Sequence, residues 1–480
     1  MAVFPAAEEP AQPDIGPQGR KAAPSARLRE AFGRLLTILS GHDGHSRAQR
    51  MALTAFAIRL LSAAIAFVSQ IILARMMGNF EYGIFVFIWV MVILAGNLSC
   101  FGFHAAQIRF LPQYETAGQR AEIRGLTTTA RIFALLSASM VAFVGFLLLS
   151  RFENSVEPYY VAPLFVAFLI LPMVALGDIM EGTARAHSWG IVALSPTYLV
   201  RPMLILGFMA LAVYYGAPAT AETAMETSLV ATYVTTVAQF FNINYRLRRH
   251  HKAGPMAIDF PTWFRLAVPL FLIEGFSFLL TNADVVVVGL FLEPGDVAVY
   301  FAAAKTMAII QFVYFSVKAA SAPRFSAMMA VDDRQALGRF AGQTVRWVFW
   351  PSLLVGLAVL AAGPWLLAMF GPGFAAGIDL MAILFAGIMT KASVGPGEVL
   401  LAMAGHQGLC VRLYAAALGV GIVLNVILIP VLGLEGAALA AAGAMLTEAI
   451  LLHIFVRRRL GVVMFAFADP LPAHQRPKAT

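Results

Sequence analysis

The chain has 480 residues, of which 60% are hydrophobic and 12% charged, with a formal net charge of +8 and a mean hydropathy of +0.78. Soluble domains are about 45–50% apolar and about 25% charged, so the composition excludes an ordinary globular protein and points to one embedded in a membrane. The basic balance is what cytoplasmic loops of a membrane protein supply, so nucleic acid is not expected as a partner.

Residues 1–50 are polar and proline-rich ("PAAEEPAQPDIGPQG"), with no early apolar run, so no cleavable signal peptide is expected. Residues 1–26 read as a disordered tail. In "ARLREAFGRLLTIL", Leu28, Phe32, Leu35, Leu36 and Leu39 share one helical face, which fits a short helix lying on the inner membrane surface or the start of a longer helical tail. "HDGH" at 42–45 reads as a loop rather than a metal site. Cys100 and Cys410 both sit in apolar runs and read as packing residues, not as a disulfide or metal pair. No metal or cofactor is expected.

A spanning helix needs about 20 mainly apolar residues. Such runs occur at 52–74, 84–106, 128–149, 159–179, 189–213, 227–245, 266–292, 297–321, 344–368, 376–402, 410–430 and 434–456, which predicts twelve spans. With the amino terminus inside, 25 of the 34 Lys and Arg residues fall on inside segments, and only Arg75 and Arg151 on outside ones. A shift by one span destroys this asymmetry, so both termini are expected in the cytoplasm. "RMMGNFEYG" (75–83) is then a short external hairpin. No external connection is long enough for a domain, so the work is expected inside the bilayer.

The chain also repeats. "ARMMGNFEYGIF" (74–85) aligns with "GLFLEPGDVAVY" (289–300): an acid (Glu81, Asp296), a small residue two on (Gly83, Ala298), then an aromatic two further (Phe85, Tyr300). "LPQY" (111–114) echoes "APRF" (322–325). Spans 1–6 and 7–12 therefore read as two copies of one orientation, related by a pseudo-two-fold axis along the membrane normal. The expected organisation is a cytoplasmic tail (1–50), a six-helix bundle (51–245), a basic linker (246–265), a second six-helix bundle (266–456) and a tail (457–480), all-α throughout.

"QIILARMMGNFEYGIF", "AVPLFLIEGFSFLLTNADVVVVGLFLEPGDVAVYFAAAK" and "LNVILIPVLGLEGAALAAAGAMLTEAILLHIFVRRRLG" resemble spans of polysaccharide exporters in the multidrug/oligosaccharidyl-lipid/polysaccharide (MOP) superfamily. The resemblance covers about residues 50–460. It is specific for the superfamily and poorly specific for substrate. Wzx-type members flip undecaprenyl-diphosphate-linked oligosaccharides across the bacterial inner membrane; relatives flip the peptidoglycan precursor, usually with two further spans; the MATE branch exports drugs.

Ionisable groups at membrane depth cost about 2.5–3.5 kcal/mol on insertion scales, so each is a candidate for function. The first half carries Arg59, Arg131 and Arg201, with Asp178 and Glu181 at the inner end of span 4. Those two acids cap that end or pair with Arg185. The second half carries Glu274, Asp284, Lys305, Lys318, Arg346, Lys391 and Glu448. Arg131, Lys318 and Arg346 lie close enough to the inner surface to snorkel. Glu274 and Asp284 either pair with Lys305 or Lys391 or exchange protons or Na⁺ during transport.

Cations without acids favour an anion, and guanidinium offers phosphate a bidentate contact. Arg59, Arg131, Arg201, Lys305 and Lys391 are the candidate contacts to the diphosphate that the resemblance implies. Gln70, Asn97, Gln107, Thr197, Tyr198, Gln239, Asn242, Asn282 and Gln311 are candidates for the sugars, about half of them expected to bond backbone or neighbouring helices. No GxxxxGK[ST] loop occurs, so ATP binding is not expected. The expectation is a non-enzymatic flippase serving O-antigen, capsule or exopolysaccharide assembly, working beside glycosyltransferases and a polymerase. A cation-coupled multidrug exporter is the alternative.

Overall fold

The computed structural model describes residues 44–250, 254–330 and 334–468, with side chains from Leu61 onward. Residues 1–43 and 469–480, with the expected interfacial helix, lie outside the described residues; Gly44 and His45, expected in a loop, and the rest of the expected tail to residue 50 instead open the first helix. The chain forms two compact units. Of the first, Met1–Ala57, only the opening of the first helix is described. The second, Ile58–Thr480, contains the rest of that helix and all the later ones.

Helix α1 (Gly44–Ser99) is two spans joined at one residue. Gly78 has φ 78° and ψ 170°, a conformation that essentially only glycine adopts. The chain folds back there: Tyr82 Oη donates to Gln70 Oε1 at 2.8 Å, although a straight helix would set these residues about 18 Å apart along its axis. The nine polar-rich residues of the sequence hairpin are thus mostly helix, flanking a one-residue turn. The last helix, α15 (Gln407–Leu460), uses the same device at Gly433 (φ 59°, ψ −131°). A Cβ added to Gly421 would lie 3.1 Å from that of Ala444, so its two arms are antiparallel neighbours.

Between these lie α2 (Phe103–Thr116), α3 (Arg120–Arg151), α4 (Pro158–Ala186), α5 (Gly190–Ser195), α6 (Arg201–Tyr214) and α7 (Ala221–His250) in the first half. The second half opens with α8 (Phe260–Phe291), α9 (Pro294–Met307), α10 (Gln311–Ala330) and α11 (Arg334–Ala361). It continues with α12 (Gly363–Ala368), α13 (Gly377–Val394) and α14 (Gly397–Met403). Nine helical stretches among the described residues are apolar and long enough to cross a membrane. Two of the nine, in α1 and α15, fold back and supply two spans each. Helix α7 is the remaining one; it falls short only in hydropathy.

The reason is a run of hydroxyls. Thr227, Ser228, Thr232, Thr235 and Thr236 of α7 are all buried. Several donate to carbonyls of the preceding turn, as Ser228 does to Ala224 (2.7 Å) and Thr235 to Ala231 (2.8 Å), which lets them sit at membrane depth. The chain is therefore a bundle of twelve spans in two six-helix halves, with no strand among the described residues. Packing within a half relies on small residues. Ala130, Ala134, Ala138 and Ala142 make one buried stripe of α3, while Ile132, Leu136, Met140, Phe143 and Leu147 cover its exposed, lipid-facing side.

The turns at Gly78 and Gly433 mark one end of the bundle, the hairpin end. Arg120, Arg124, Arg185, Arg246, Arg248 and Arg249 mark the other, the basic end. At the hairpin end the halves meet. Arg75 Nη2 donates to the Ala368 carbonyl at 3.0 Å and its Nε to that of Met369, covering the last carbonyls of α12. Tyr82 packs edge-on to Phe301, and Gly83 lies so close to Pro294 that a Cβ there would come 1.7 Å from its carbonyl oxygen. Toward the basic end, α8 crosses to the other half. Trp263 Nε1 donates to Tyr114 Oη at 2.9 Å, and Phe260 stacks on Phe103 at 5.8 Å, whereas further along α8 packs on α15.

Candidate functional site

The buried charges gather in two places, one per half. In the first half, α5 passes into α6 through a π-helical turn, Pro196–Val200. Pro196 and Pro202 each lack an amide donor, and the Arg201 N–H closes the wider turn on the Pro196 carbonyl. This turn sets Arg201 inward, 5% exposed. Gly177 of α4 makes the room: a Cβ there would lie 3.2 Å from Arg201 Nη2 and 3.5 Å from Thr236 Oγ1. Arg201 Nε has no hydrogen-bond partner.

Acids stand nearer than the sequence pattern allowed. Asp178 and Glu181 act on Arg201 electrostatically, and Asp178 accepts from Asn97 Nδ2 at 3.5 Å. Glu181 also pairs with Arg185 at 3.5 Å, in line with one of the two alternatives drawn from the sequence. The expectation of cations without membrane-depth acids in this half is corrected: Asp178 and Glu181, a turn apart on α4, lie within electrostatic reach of the guanidinium. Arg131 on α3 is held by Asn244 Oδ1 at 2.6 Å and lies 5.4 Å from the Phe240 ring, both on α7. Its Nε and Nη2 are buried without partners. Arg131 therefore points into the half rather than snorkelling. The Arg59 side chain lies outside the described residues.

A further polar contact joins the halves through α2 and α8. His104 Nε2 on α2 and Glu274 Oε2 on α8 are 2.6 Å apart, with the carboxylate half exposed and the imidazole Nδ1 buried without a partner. Glu274 thus pairs with a histidine of the first half rather than with Lys305 or Lys391.

The second half encloses a cavity of about 250 Å³ between α8, α9, α10, α13, α14 and α15. Three lysines and three acids line it, and they neutralise one another. Lys391 Nζ lies 2.8 Å and 3.0 Å from the two oxygens of Glu448, the second with hydrogen-bond geometry. Lys318 Nζ lies 3.0 Å from Glu398 Oε1, and Tyr314 Oη donates to the same carboxylate at 2.8 Å. The Tyr314 ring also faces Lys391 at 5.5 Å, linking the two pairs. Lys305 sits in the field of Asp284 and 5.0 Å from the Phe301 ring, while Asp284 accepts from Tyr300 Oη at 2.8 Å.

Three sequence expectations change here. Lys391 is not a free cation awaiting an anion, because Glu448 pairs with it, and Lys305 lies in the field of Asp284. Lys318 does not snorkel, because a buried carboxylate is within reach. Glu398 was not singled out in the sequence, yet it anchors the network. Its signal was "VGPGE": Gly395 (φ 66°) and Pro396 break the span, and the carboxylate comes next, at the start of α14. Several amides proposed for sugars are already engaged: Gln70 by Tyr82, Gln107 by Thr183, Asn242 by Arg246, and Asn282 by the Phe278 carbonyl.

Twelve helices in two halves, with charges buried inside each, make up the fold that solved transporters of the MOP superfamily share. An inward-facing multidrug resistance MATE transporter superposes with a TM-score of 0.66 at 13% identity, over 84% of this chain and 98% of that one. The lipid II flippase MurJ, inward closed, gives 0.65 at 13% over 84% and 87%. A MOP transporter from Pyrococcus furiosus gives 0.60 at 14% over 88% and 97%. Identities this low speak to the fold alone. Residues 50–329, more than half the sequence, match the model of the polysaccharide biosynthesis protein family, and the chain belongs to that family. No curated protein matches the sequence significantly.

Proposed function

We propose that the chain is a flippase for undecaprenyl-diphosphate-linked oligosaccharide in the bacterial inner membrane, serving O-antigen, capsule or exopolysaccharide assembly. Arg201 supports this reading: a guanidinium buried in the first half with Nε unspent. A diphosphate has the charge and the paired acceptors such a donor fits. Arg131 adds a second guanidinium with unspent donors in the same half, and Arg59 stays a candidate from its place in the sequence. Lys305 and Lys391 join them only when Asp284 and Glu448 are drawn away, so the second half binds an anion after a rearrangement. Glu274, against His104, and Asp284 are the groups that exchange protons as the halves move. The basic end faces the cytoplasm, both termini lie there, glycosyltransferases and a polymerase act on either side, and the chain itself catalyses no bond change.

The test is export. Arg201→Ala should abolish surface polysaccharide and leave lipid-linked repeat units on the inner leaflet, with protein level and insertion intact. Losing one charge-assisted pair to a buried phosphate costs about 2–5 kcal/mol, well over tenfold in binding. Arg201→Lys should recover only part, because a point charge replaces a fork. Normal export by Arg201→Ala, or loss of the protein from the membrane, would remove the basis of this reading.

A further inference from the structure

The basic end of α7 carries a groove that the transport reading does not use. It is a recess of about 420 Å³ lined by Phe241, Asn242, Tyr245, Arg246, Arg249 and His250. Each arginine lies over an aromatic ring. The Arg246 guanidinium lies 5.5 Å from the Trp189 ring and that of Arg249 lies 5.0 Å from Tyr245, while the His250 ring is 5.6 Å from Trp189. Arg246 gives Nε to Asn242 Oδ1 at 2.8 Å, which fixes the fork and leaves its terminal nitrogens to the groove.

Below this recess runs an apolar track. Val230, Val234, Val237, Phe241 and Tyr245 recur at helical spacing on one face of α7, and all are exposed, Phe241 by 66% and Tyr245 by 60%. The track covers about 22 Å of helix, more than the ~15 Å of hydrocarbon that one leaflet provides. Arginines stacked on aromatics, at the head of such a track, match a phosphate joined to an acyl chain. A water-soluble phosphate has no use for the track. A zwitterionic headgroup would bring an ammonium between Arg246 and Arg249.

We propose that this groove binds one anionic glycerophospholipid of the surrounding leaflet, its phosphate on Arg246 and Arg249 and one acyl chain along Phe241 and Val237. The site rests only on α7 spanning the membrane, and not on which substrate the protein carries.

The probe is phosphatidylglycerol, with phosphatidylcholine as the neutral comparison, added to the purified full chain and read by native mass spectrometry and thermal unfolding. One phosphatidylglycerol should stay bound and raise the melting temperature, and phosphatidylcholine should do neither. Arg246→Gln with Arg249→Gln should weaken retention about tenfold or more, while Arg457→Gln, basic but elsewhere, should leave it unchanged. Glycerol phosphate should not compete. Equal retention of both lipids, retention unaffected by the double variant, or displacement by glycerol phosphate would each overturn the site. So would a double variant equally destabilised in either lipid, which would show that the arginines serve only the helix end. Arg246→Lys with Arg249→Lys should keep stability and part of the binding; if it binds nothing while folded, charge is not what the groove reads.

Discussion

The two halves share one fold and settle their buried charges in opposite ways. The second half ion-pairs two of the lysines that line its cavity, Lys391 with Glu448 and Lys318 with Glu398, and sets Lys305 in the field of Asp284. The first half leaves donors over, with Nε of Arg201 and both Nε and Nη2 of Arg131 unmatched. Lysine is a point charge that one carboxylate can satisfy, whereas a guanidinium spreads five donors that one carboxylate cannot. Residue choice, more than net charge, therefore decides which half has something left to offer an anion.

Exchanging features between the halves breaks or sharpens this contrast. The largest effect is expected from Glu448→Ala, which strands Lys391. Removing one partner of a buried pair costs about 3–5 kcal/mol, and the partial exposure of Lys391 places this case at the lower end, about 3 kcal/mol. Thermal unfolding in detergent should show it, and Lys391→Met on the same chain should restore most of the loss. If Arg131→Ala is as damaging as Glu448→Ala, the contrast between the halves fails.

A smaller effect is expected from giving the first half the residue of the second at the repeat. Gly83 aligns with Ala298, but only Gly83 lies under a carbonyl of the other half. Gly83→Ala should cost about 1–3 kcal/mol as overpacking. It should also slow disulfide formation between Asn79→Cys and Gly295→Cys, whose native side chain and backbone stand within van der Waals reach. The smallest change is Arg75→Leu. Its repeat counterpart is Leu290, which is exposed and bonds nothing across the interface, while Arg75 covers two carbonyls of the other half. About 1 kcal/mol of contact should be lost, seen as faster opening in the same cross-linking assay.

Much of this was legible in the sequence. Apolar runs, with basic residues gathered on alternate connections, placed the twelve spans, including the threonine-rich α7 that hydropathy alone passes over. The glycine of "RMMGNFEYG" did mark a turn, though one residue suffices for it. The charge network was not legible. Lys318 and Glu398 stand 80 positions apart, and their meeting depends on how α10 and α14 pack, which no local pattern encodes. Glu398 itself escaped notice because span 10 reads as one continuous run, whereas Gly395 and Pro396 divide it. Arg201 was visible as an anomaly; the space made for it by Gly177 was not.

Helix α8 has a consequence for assembly during synthesis. Its first turns bind the earlier half through Trp263 and Phe260, while its remainder belongs to the later one. The second half therefore emerges from the ribosome already tethered to a finished surface, and its first span acts as a template for the five spans made after it. A chain cut in the non-helical stretch 254–259 would keep this docking face intact on the second piece. The two fragments, co-expressed, should co-purify, and Trp263→Ala in the second should release the first.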